Sequence, residues 1–251
     1  MNNLRFTVTE VSQCPRIWQY KYQNIEPCEP HMYSIRGILT HKAIELLLKN
    51  EHVNYTYPHL LDKIEMQTIS EKSYNHVITE VKATMQKLKS YLPNLNLSED
   101  GIKEGKLTVN LKNIELVGKP DYFDDRILID FKTSKIMQEG FHAQLAAYKW
   151  LIKRTYGWNV DAKVVLLGGK QIKEVELTDT ELRQGIGEFK NNLRRAIFLK
   201  KQILEGVEVP CEVGFNCVFC RYRHICNCLL YTSDAADEGL GVDLGGRRII
   251  K

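Results

Sequence analysis

A short motif that begins at Gly118 limits most strongly what this chain can fold into. It reads GKPD and ends at Asp121, and the triplet DFK follows from Asp130 to Lys132. The apolar stretches IELV and ILI precede the two acids, which predicts neighbouring strands that bring Asp121 and Asp130 together at one sheet edge. Two carboxylates can hold a hard divalent cation there, and Lys132 can reach an attacking water or a phosphate. A solvated hairpin with idle charges is the alternative, because short motifs also occur by chance.

Cysteines near the end of the chain are the second feature. Cys217, Cys220 and Cys226 have metal-ligand spacing, because the x-x interval lets two thiolates face one centre. Three ligands are one short of the usual four, and Cys14 would supply the fourth if the cluster joins both ends of the domain. Four thiolates suit either an iron–sulfur cluster or zinc, and the spacing does not choose between them.

Together these features resemble the PD-(D/E)xK nuclease superfamily, whose signature would be Pro120-Asp121 and Asp130-x-Lys132. The lone early cysteine and the late trio resemble its iron–sulfur RecB-like members. These include the exonucleases that accompany CRISPR adaptation and the nuclease domain of AddB. The resemblance implies a [4Fe–4S] cluster on the four cysteines. Cys28 and Cys211 are then ordinary thiols.

Two helix motifs extend this resemblance. Gly37 to His41 resembles the family's G-x-x-x-H motif, which implies that His41 joins the metal site and that Gly37 lets another backbone come close. Gln144 and Tyr148 resemble its Q-x-x-x-Y motif, whose i,i+4 spacing places both groups where they can bond phosphate or base edges. The plain alternatives are a surface or core histidine and a helix with a buried tyrosine and a solvated glutamine.

The resemblance implies a site in which one or two magnesium or manganese ions bind His41, Asp121, Asp130 and the carbonyl of Phe131. Lys132 would orient or activate the water and offset the charge of the phosphate. DNA with free ends or single strands would be the substrate, and CRISPR adaptation or recombination proteins would be partners. A second possible enzyme function is that of a phage or viral recombination exonuclease. A different class of function is a non-catalytic DNA-binding or partner-docking module with an iron–sulfur or zinc site.

Composition agrees with a soluble globular protein. The chain has 251 residues, 43% hydrophobic and 26% charged, and a formal charge of +4, which permits a nucleic-acid partner without requiring one. It lacks a membrane-spanning apolar run and a signal-peptide pattern, so we expect a cytoplasmic protein.

The last segment, Cys228 to Lys251, resembles the translation of a sequencing adapter. We expect it to be foreign to the fold, with the native sequence continuing differently after Cys226 or Asn227. Residues 1–227 would then form the nuclease domain, in which Cys14 and a module at 211–227 build the cluster.

The pattern of elements predicts an α/β (α+β) fold, and the resemblance makes it a restriction-endonuclease-like mixed sheet flanked by helices. Predicted helices are Cys14–Gln23, Ser34–Lys49, Ser70–Tyr91, Gln138–Tyr156 and one that begins at Thr178 or Thr180 and ends near Glu205. Predicted strands are Lys106–Asn110, Asn113–Val117, Asp121–Phe123, Arg126–Lys132, Val164–Leu167 and Ile172–Leu177, the last two as a hairpin. A loop around Pro58 separates the second and third helices.

Two basic segments are candidates for DNA contact. The last predicted helix carries Arg183, Lys190, Arg194, Arg195, Lys200 and Lys201, although such a charged face is more often simply solvated. The loop between Cys220 and Cys226 carries Arg221, Arg223 and His224, with Tyr222 as an aromatic suited to base stacking.

Overall fold

The computed structural model describes residues 4–55, 70–138 and 140–227, and these contain five α-helices and eight β-strands. The helices are α1 (Pro15–Tyr22), α2 (Met32–Leu48), α3 (Glu71–Tyr91), α4 (Phe141–Tyr156) and α5 (Asp179–Leu204). The strands are β1 (Leu4–Thr7), β2 (Ile102–Lys103), β3 (Leu107–Leu111), β4 (Ile114–Gly118), β5 (Tyr122–Phe123), β6 (Ile127–Lys132), β7 (Asp161–Leu166) and β8 (Lys173–Glu176). Short 3-10 helices cover Glu10–Ser12, Leu92–Leu95 and Phe215–Phe219.

The strands form two mixed sheets. One has the order β1-β4-β3 and the other β2-β5-β6-β7-β8. β1 runs parallel to β4 and β6 runs parallel to β7, while the remaining pairs are antiparallel. The α4 helix makes the crossover between the parallel strands β6 and β7, as parallel neighbours require. The predicted mixed α/β fold is confirmed.

Side chains of β6 and β7 feed two separate cores. Leu128 and Val164 belong to a core built with α4 and α5. Ile129 and Val165 belong to a second core built with α2 and α3. Successive strand residues point to opposite faces, so the continuous apolar runs of these strands serve both cores. The five-stranded sheet therefore lies between two helix pairs.

Most predicted elements are confirmed to within a few residues, including the β3–β4 pair, the β5–β6 pair and the β7–β8 hairpin. The predicted cap at Ser34 is wrong, because α2 begins at Met32 and the Nδ1 atom of His31 accepts the Tyr33 N–H at 3.3 Å. The α4 helix begins at Phe141 rather than Gln138, after Gly140 with a φ of +88°. Strands β1 and β2 were not predicted.

Two predictions lie outside the described residues: the loop around Pro58 and the adapter-like segment 228–251. In the described ranges, none of the helices combines the length and apolar character that crossing a bilayer requires.

Thr178 begins α5 through a reciprocal pair of hydrogen bonds. Its Oγ1 accepts the Glu181 N–H at 3.3 Å, and Glu181 Oε2 accepts the Thr178 N–H at 2.8 Å. We expect Thr178→Ala to lower the free energy of unfolding by about 1 kcal/mol, measured by urea denaturation, because one helix N–H loses its partner. Thr180→Ala is the control and should change it by less than about 0.5 kcal/mol. Equal losses would contradict the assignment of the cap to Thr178.

Candidate functional site

The two motif carboxylates lie side by side. In the antiparallel β5–β6 pair Tyr122 lies opposite Ile129, which places Asp121 across from Asp130. Asp121 Oδ2 accepts the Phe131 N–H at 2.7 Å. Both acids are buried, with 5% of Asp121 and 3% of Asp130 exposed. The structure thus brings together the two carboxylates that the motif spacing predicts to be neighbours.

Gly118 explains the first position of the GKPD motif. A Cβ atom there would lie 2.5 Å from Leu151 Cδ1 and 3.0 Å from Tyr148 Cδ1. Only glycine therefore lets α4 pack this closely against the end of β4. The close packing holds the Gln144 and Tyr148 face of α4 against the strand that leads to Asp121.

His41 reaches the same place from α2. Its Nδ1 lies 3.2 Å from Asp121 Oδ1. Burial alone would lower the pKa of His41, but the charge and the hydrogen bond of Asp121 outweigh it and raise the pKa. For Asp121, burial would raise the pKa, and the contacts with His41 and the Phe131 N–H lower it overall. The two groups therefore form a mutually stabilised ion pair.

Gly37 lies one turn before His41 and was predicted to admit another backbone. That prediction is wrong, because the nearest atom to a Cβ at Gly37 is the side-chain Oγ1 of Thr133, at 4.0 Å. The position is open rather than tightly packed.

Lys132 is held by a chain of polar contacts. Its Nζ lies 2.7 Å from Asp130 Oδ2 and donates to Gln144 Oε1 at 2.7 Å. Gln144 Nε2 donates in turn to the Tyr148 hydroxyl at 3.1 Å. Burial raises the pKa of Asp130, and the charge of Lys132 offsets part of this rise. The Lys132 ammonium also lies 4.8 Å from the centre of the Phe141 ring.

Tyr148 is buried, and burial strongly raises its pKa, so the phenol stays protonated. In this structure Gln144 and Tyr148 position Lys132. Their contact with phosphate or base edges stays a prediction.

The four predicted cluster cysteines line one cavity of about 400 Å³. Cys14 comes from the residue before α1, while Cys217, Cys220 and Cys226 come from the segment after α5. Burial raises the pKa of Cys14, and the nearby thiols Cys226, Cys211 and Cys217 add to this effect. The structure therefore brings both ends of the described chain together at these thiols.

The cavity has polar groups that suit anionic sulfur. The Glu212 N–H donates to Cys14 Sγ at 3.3 Å, and the Tyr222 N–H donates to Cys220 Sγ at 3.5 Å. Arg223 lines the cavity, and its buried Nη1 has no hydrogen-bond partner in the part of the chain that the structure describes. None of the six cysteines in the described ranges forms a disulfide. Four soft ligands beside this Nη1 atom fit a thiolate-bound metal centre.

Two further sequence predictions concern residues near this cavity, Tyr222 and Cys211. Tyr222 was predicted to stack on bases, and this is wrong, because it is 5% exposed and packs on Tyr20 with ring centres 5.2 Å apart. Cys211 was set aside as an ordinary thiol. It lies near enough to Cys14 to raise that pKa, but it lines a neighbouring cavity with Cys226 rather than the one the four thiols share.

Comparison of the sequence with protein families identifies the superfamily of this chain. A family model for the PD-(D/E)XK nuclease superfamily matches residues 7–227. The chain belongs to this superfamily. A comparison with curated proteins finds no match.

Two solved structures align with this chain over most of its length. The chain aligns with a protein of Eubacterium rectale, provisionally named an exonuclease, at a TM-score of 0.56 and 13% identity. The alignment covers 95% of this chain and 90% of the other. A second structure, of the protein SSO0001, aligns at a TM-score of 0.44 and 16% identity over 91% of this chain and 88% of the other. The first of these supports the restriction-endonuclease-like fold.

Glu104 is a residue of the nuclease site that the sequence motifs missed. It follows β2 with a φ of +54°, and its N–H donates to the Asp121 carbonyl at 2.9 Å. Its carboxyl is hydrogen-bonded to that of Asp121 and ion-paired with Lys119. Burial and the charge of Asp121 raise the pKa of Glu104 to about 7, against the effect of Lys119. The sequence offers only an acid in a turn, where acids are common.

The residues of the nuclease site fit a divalent cation. Carboxylates are ligands of magnesium and manganese, and a neutral imidazole suits manganese better than magnesium. Buried carboxylates are costly unless they are paired or bind metal. Within residues 4–55, 70–138 and 140–227, no three His, Cys, Asp or Glu side chains are already arranged as a metal site. The fit therefore rests on the donor set: the carboxyls of Glu104 and Asp121 share a hydrogen bond, and Asp130 lies across from Asp121.

We expect Glu104→Gln to weaken Mn²⁺ binding about tenfold, measured by isothermal titration calorimetry, because one anionic oxygen beside Asp121 is lost. Glu99→Gln is the control, since Glu99 is an exposed glutamate in the turn before β2, on the other side of that short strand from Glu104. Unchanged Mn²⁺ affinity in Glu104→Gln would show that Glu104 serves the fold alone.

Proposed function

We propose that this chain is a metal-dependent DNA exonuclease that carries a [4Fe–4S] cluster. One observation carries the nuclease half of the proposal. Asp121, Asp130 and Lys132 come from two adjacent strands, and His41 from a helix far away in sequence meets them at 3.2 Å from Asp121. A binding module has no need for all these groups in one buried place, so the arrangement favours catalysis.

The chain's own residues divide the work of phosphodiester hydrolysis. His41, Asp121, Asp130 and the Phe131 carbonyl would hold the cation, with Glu104 beside them. A bound magnesium or manganese ion supplies Lewis-acid stabilisation of the phosphate and acidifies water. Lys132 offsets charge on the phosphate and orients the attacking water, and Gln144 keeps its ammonium in place. Such a nuclease needs no covalent intermediate.

The thiol cavity supports the cluster half of the proposal. Four cysteine sulfurs, two backbone N–H donors to sulfur and the buried Nη1 atom of Arg223 favour an anionic centre. The resemblance to iron–sulfur RecB-like nucleases favours [4Fe–4S] over zinc, the metal that would equally suit four thiolates. In its proposed role the cluster fastens the segment after α5 to the start of α1.

The proposed substrate is DNA with free ends or single strands, and the proposed setting is CRISPR adaptation or DNA recombination and repair. A recombination exonuclease of a phage would use the same chemistry. The alternative function is a non-catalytic DNA-binding or partner-docking module with a structural iron–sulfur or zinc site. Cleavage and iron content separate these functions.

We expect the full chain, purified without oxygen, to degrade end-labelled DNA in Mg²⁺ or Mn²⁺ and to stop when EDTA is added. Lys132→Ala and Asp130→Ala should each lower the rate at least about 100-fold, because each removes charge stabilisation at the reacting phosphate. Lys153→Ala, an exposed lysine on α4, is the control and should cleave normally. Retained cleavage in both site variants would overturn the assignment, and a folded, iron-loaded chain that never cleaves would favour the binding module.

We expect Cys217→Ser to lose most bound iron and the visible absorption of the cluster, because one of four thiolate ligands is removed. Cys28→Ser is the matched control, since Cys28 also contacts this region through backbone bonds to Arg221 but does not line the cavity. Elemental analysis of protein prepared without oxygen decides the metal. Zinc without iron and sulfide would show that the site binds zinc and not a [4Fe–4S] cluster. Equal iron in both variants would exclude Cys217 as a ligand.

A further inference from the structure

A groove lies beside the candidate active site, on the face of the sheet that carries α2 and α3. It encloses about 310 Å³ between α2, α3, the residues after β6 and the turn between β7 and β8. Its polar lining comprises Arg36, Thr40, Glu80, Lys87, Thr133 and Lys135, together with Thr84. None of these residues is a proposed metal ligand or a defined position of the motifs, although Thr40 occupies an x position of the G-x-x-x-H motif.

Two residues that line the groove are next to nuclease-site residues in the sequence. Thr40 precedes His41 on α2, and Thr133 follows Lys132 at the end of β6. Between them lies Gly37, where a Cβ atom would meet only Thr133 Oγ1, at 4.0 Å. His41 lies one helical turn after Gly37 on α2, so this open position lies between Thr133 of the groove and His41.

The segments that form the wall of the groove pack closely against one another. A Cβ atom at Gly168 would lie 2.3 Å from the Thr133 carbonyl oxygen, so glycine is needed for the β7–β8 turn to pack against the end of β6. Lys87 Nζ donates to the carbonyl oxygens of Leu167 and Gly169 at 3.3 Å and 2.8 Å, which ties α3 to the same turn. The groove is thus a feature of the packed fold.

The charge of the groove suits phosphate. Arg36, Lys87 and Lys135 are cations, and Glu80 is the acid that lines the groove with them. Arg36 Nη1 bonds Glu80 Oε2 at 2.8 Å, and Lys135 is exposed. The Thr133 hydroxyl adds a donor of the kind that binds phosphate oxygens. A positive groove beside a nuclease site fits the backbone of a nucleic-acid strand.

An aromatic surface adjoins the groove at the start of α2. Tyr33 is 60% exposed, and its ring stacks on His31 with centres 5.3 Å apart and an angle of 20°. Phe219, from the cysteine segment, meets the Tyr33 ring edge-on at 6.0 Å. The Arg36 guanidinium lies 5.3 Å from the centre of the Tyr33 ring, which joins this surface to the groove. Exposed aromatic rings beside a positive groove are how proteins hold single strands.

We propose that this groove receives the sugar-phosphate backbone of single-stranded DNA on its way to the nuclease site, with a base stacked on Tyr33. The inference rests on the proposed function and assigns the path of its substrate. From Tyr33 to His41 is about 12 Å along α2 at 1.5 Å per residue, so one strand can occupy the aromatic surface and the site together. The groove, and not the basic face of α5, is the strand-binding surface.

The test measures binding of a fluorescein-labelled single-stranded oligonucleotide by anisotropy. The full chain is used in EDTA, with the oligonucleotide checked for integrity. Arg36→Gln with Lys135→Gln removes two groove cations. Lys190→Gln with Arg194→Gln removes two exposed cations of α5 and is the matched control. Tyr33→Ala is paired with Tyr22→Ala, because Tyr22 is similarly exposed at 56% but lies on α1.

We expect the groove pair to raise the Kd about tenfold and to lower the slope of log K against log salt by roughly 1.4, that is, about 0.7 for each lost phosphate contact. Tyr33→Ala should raise the Kd about fivefold or more through lost stacking, and its slope should stay the same. The α5 pair and Tyr22→Ala should bind like the parent chain. Circular dichroism of each variant checks that the fold is intact.

A larger loss in the α5 pair, equal losses in both pairs, or a parent chain that does not bind the oligonucleotide would each overturn the inference. Cleavage by the parent chain separates this failure from failure of the proposed function. If the parent chain cleaves DNA but binding does not depend on the groove, the proposed function stands and the groove assignment is wrong. If binding depends on the groove but no cleavage occurs, the groove assignment stands and the nuclease proposal is wrong.

Discussion

The buried carboxylate of Asp121 is the group on which the rest of the site depends. One of its oxygens accepts the Phe131 N–H and the other meets His41, so it ties the start of β5 to β6 and to α2 at once. A buried charge is tolerated only when its partners are close and well oriented. The positions of the strand pair, of α2 and of the turn that holds Glu104 are therefore coupled through a single side chain.

Strand β6 separates two tasks by its pleat. Asp130 and Lys132 face α4, where Gln144 fixes the ammonium, while Phe131 packs in the core of α2 and α3 and Thr133 lines the groove beside them. Alternate residues of one strand thus serve the reacting groups on one face and the proposed strand path on the other. The same short sequence, DFKT, takes part in both.

Local signals predicted most of the fold and the centre of the site. The apolar runs before Asp121 and Asp130 are dense enough to mark strands, and Gln144 and Tyr148 share a helix face by spacing alone. Strand β1 escaped prediction, because its four residues gain their structure from parallel pairing with β4, more than a hundred residues away. Glu104 escaped because a turn with positive φ, and no periodic pattern, brings it to Asp121. Tyr222 looks exposed among charged neighbours, but packing on Tyr20 buries it.

The placement of the four thiols has a consequence for biosynthesis. Cys14 is made early, but the cavity that it lines is completed only when the segment from Cys217 to Cys226 has left the ribosome. Strands β5 and β6 and helix α4 are made well before that point. Metal loading at this cavity would therefore follow their synthesis, and a chain truncated before Cys217 would carry Asp121, Asp130 and Lys132 but lack three of the four thiols.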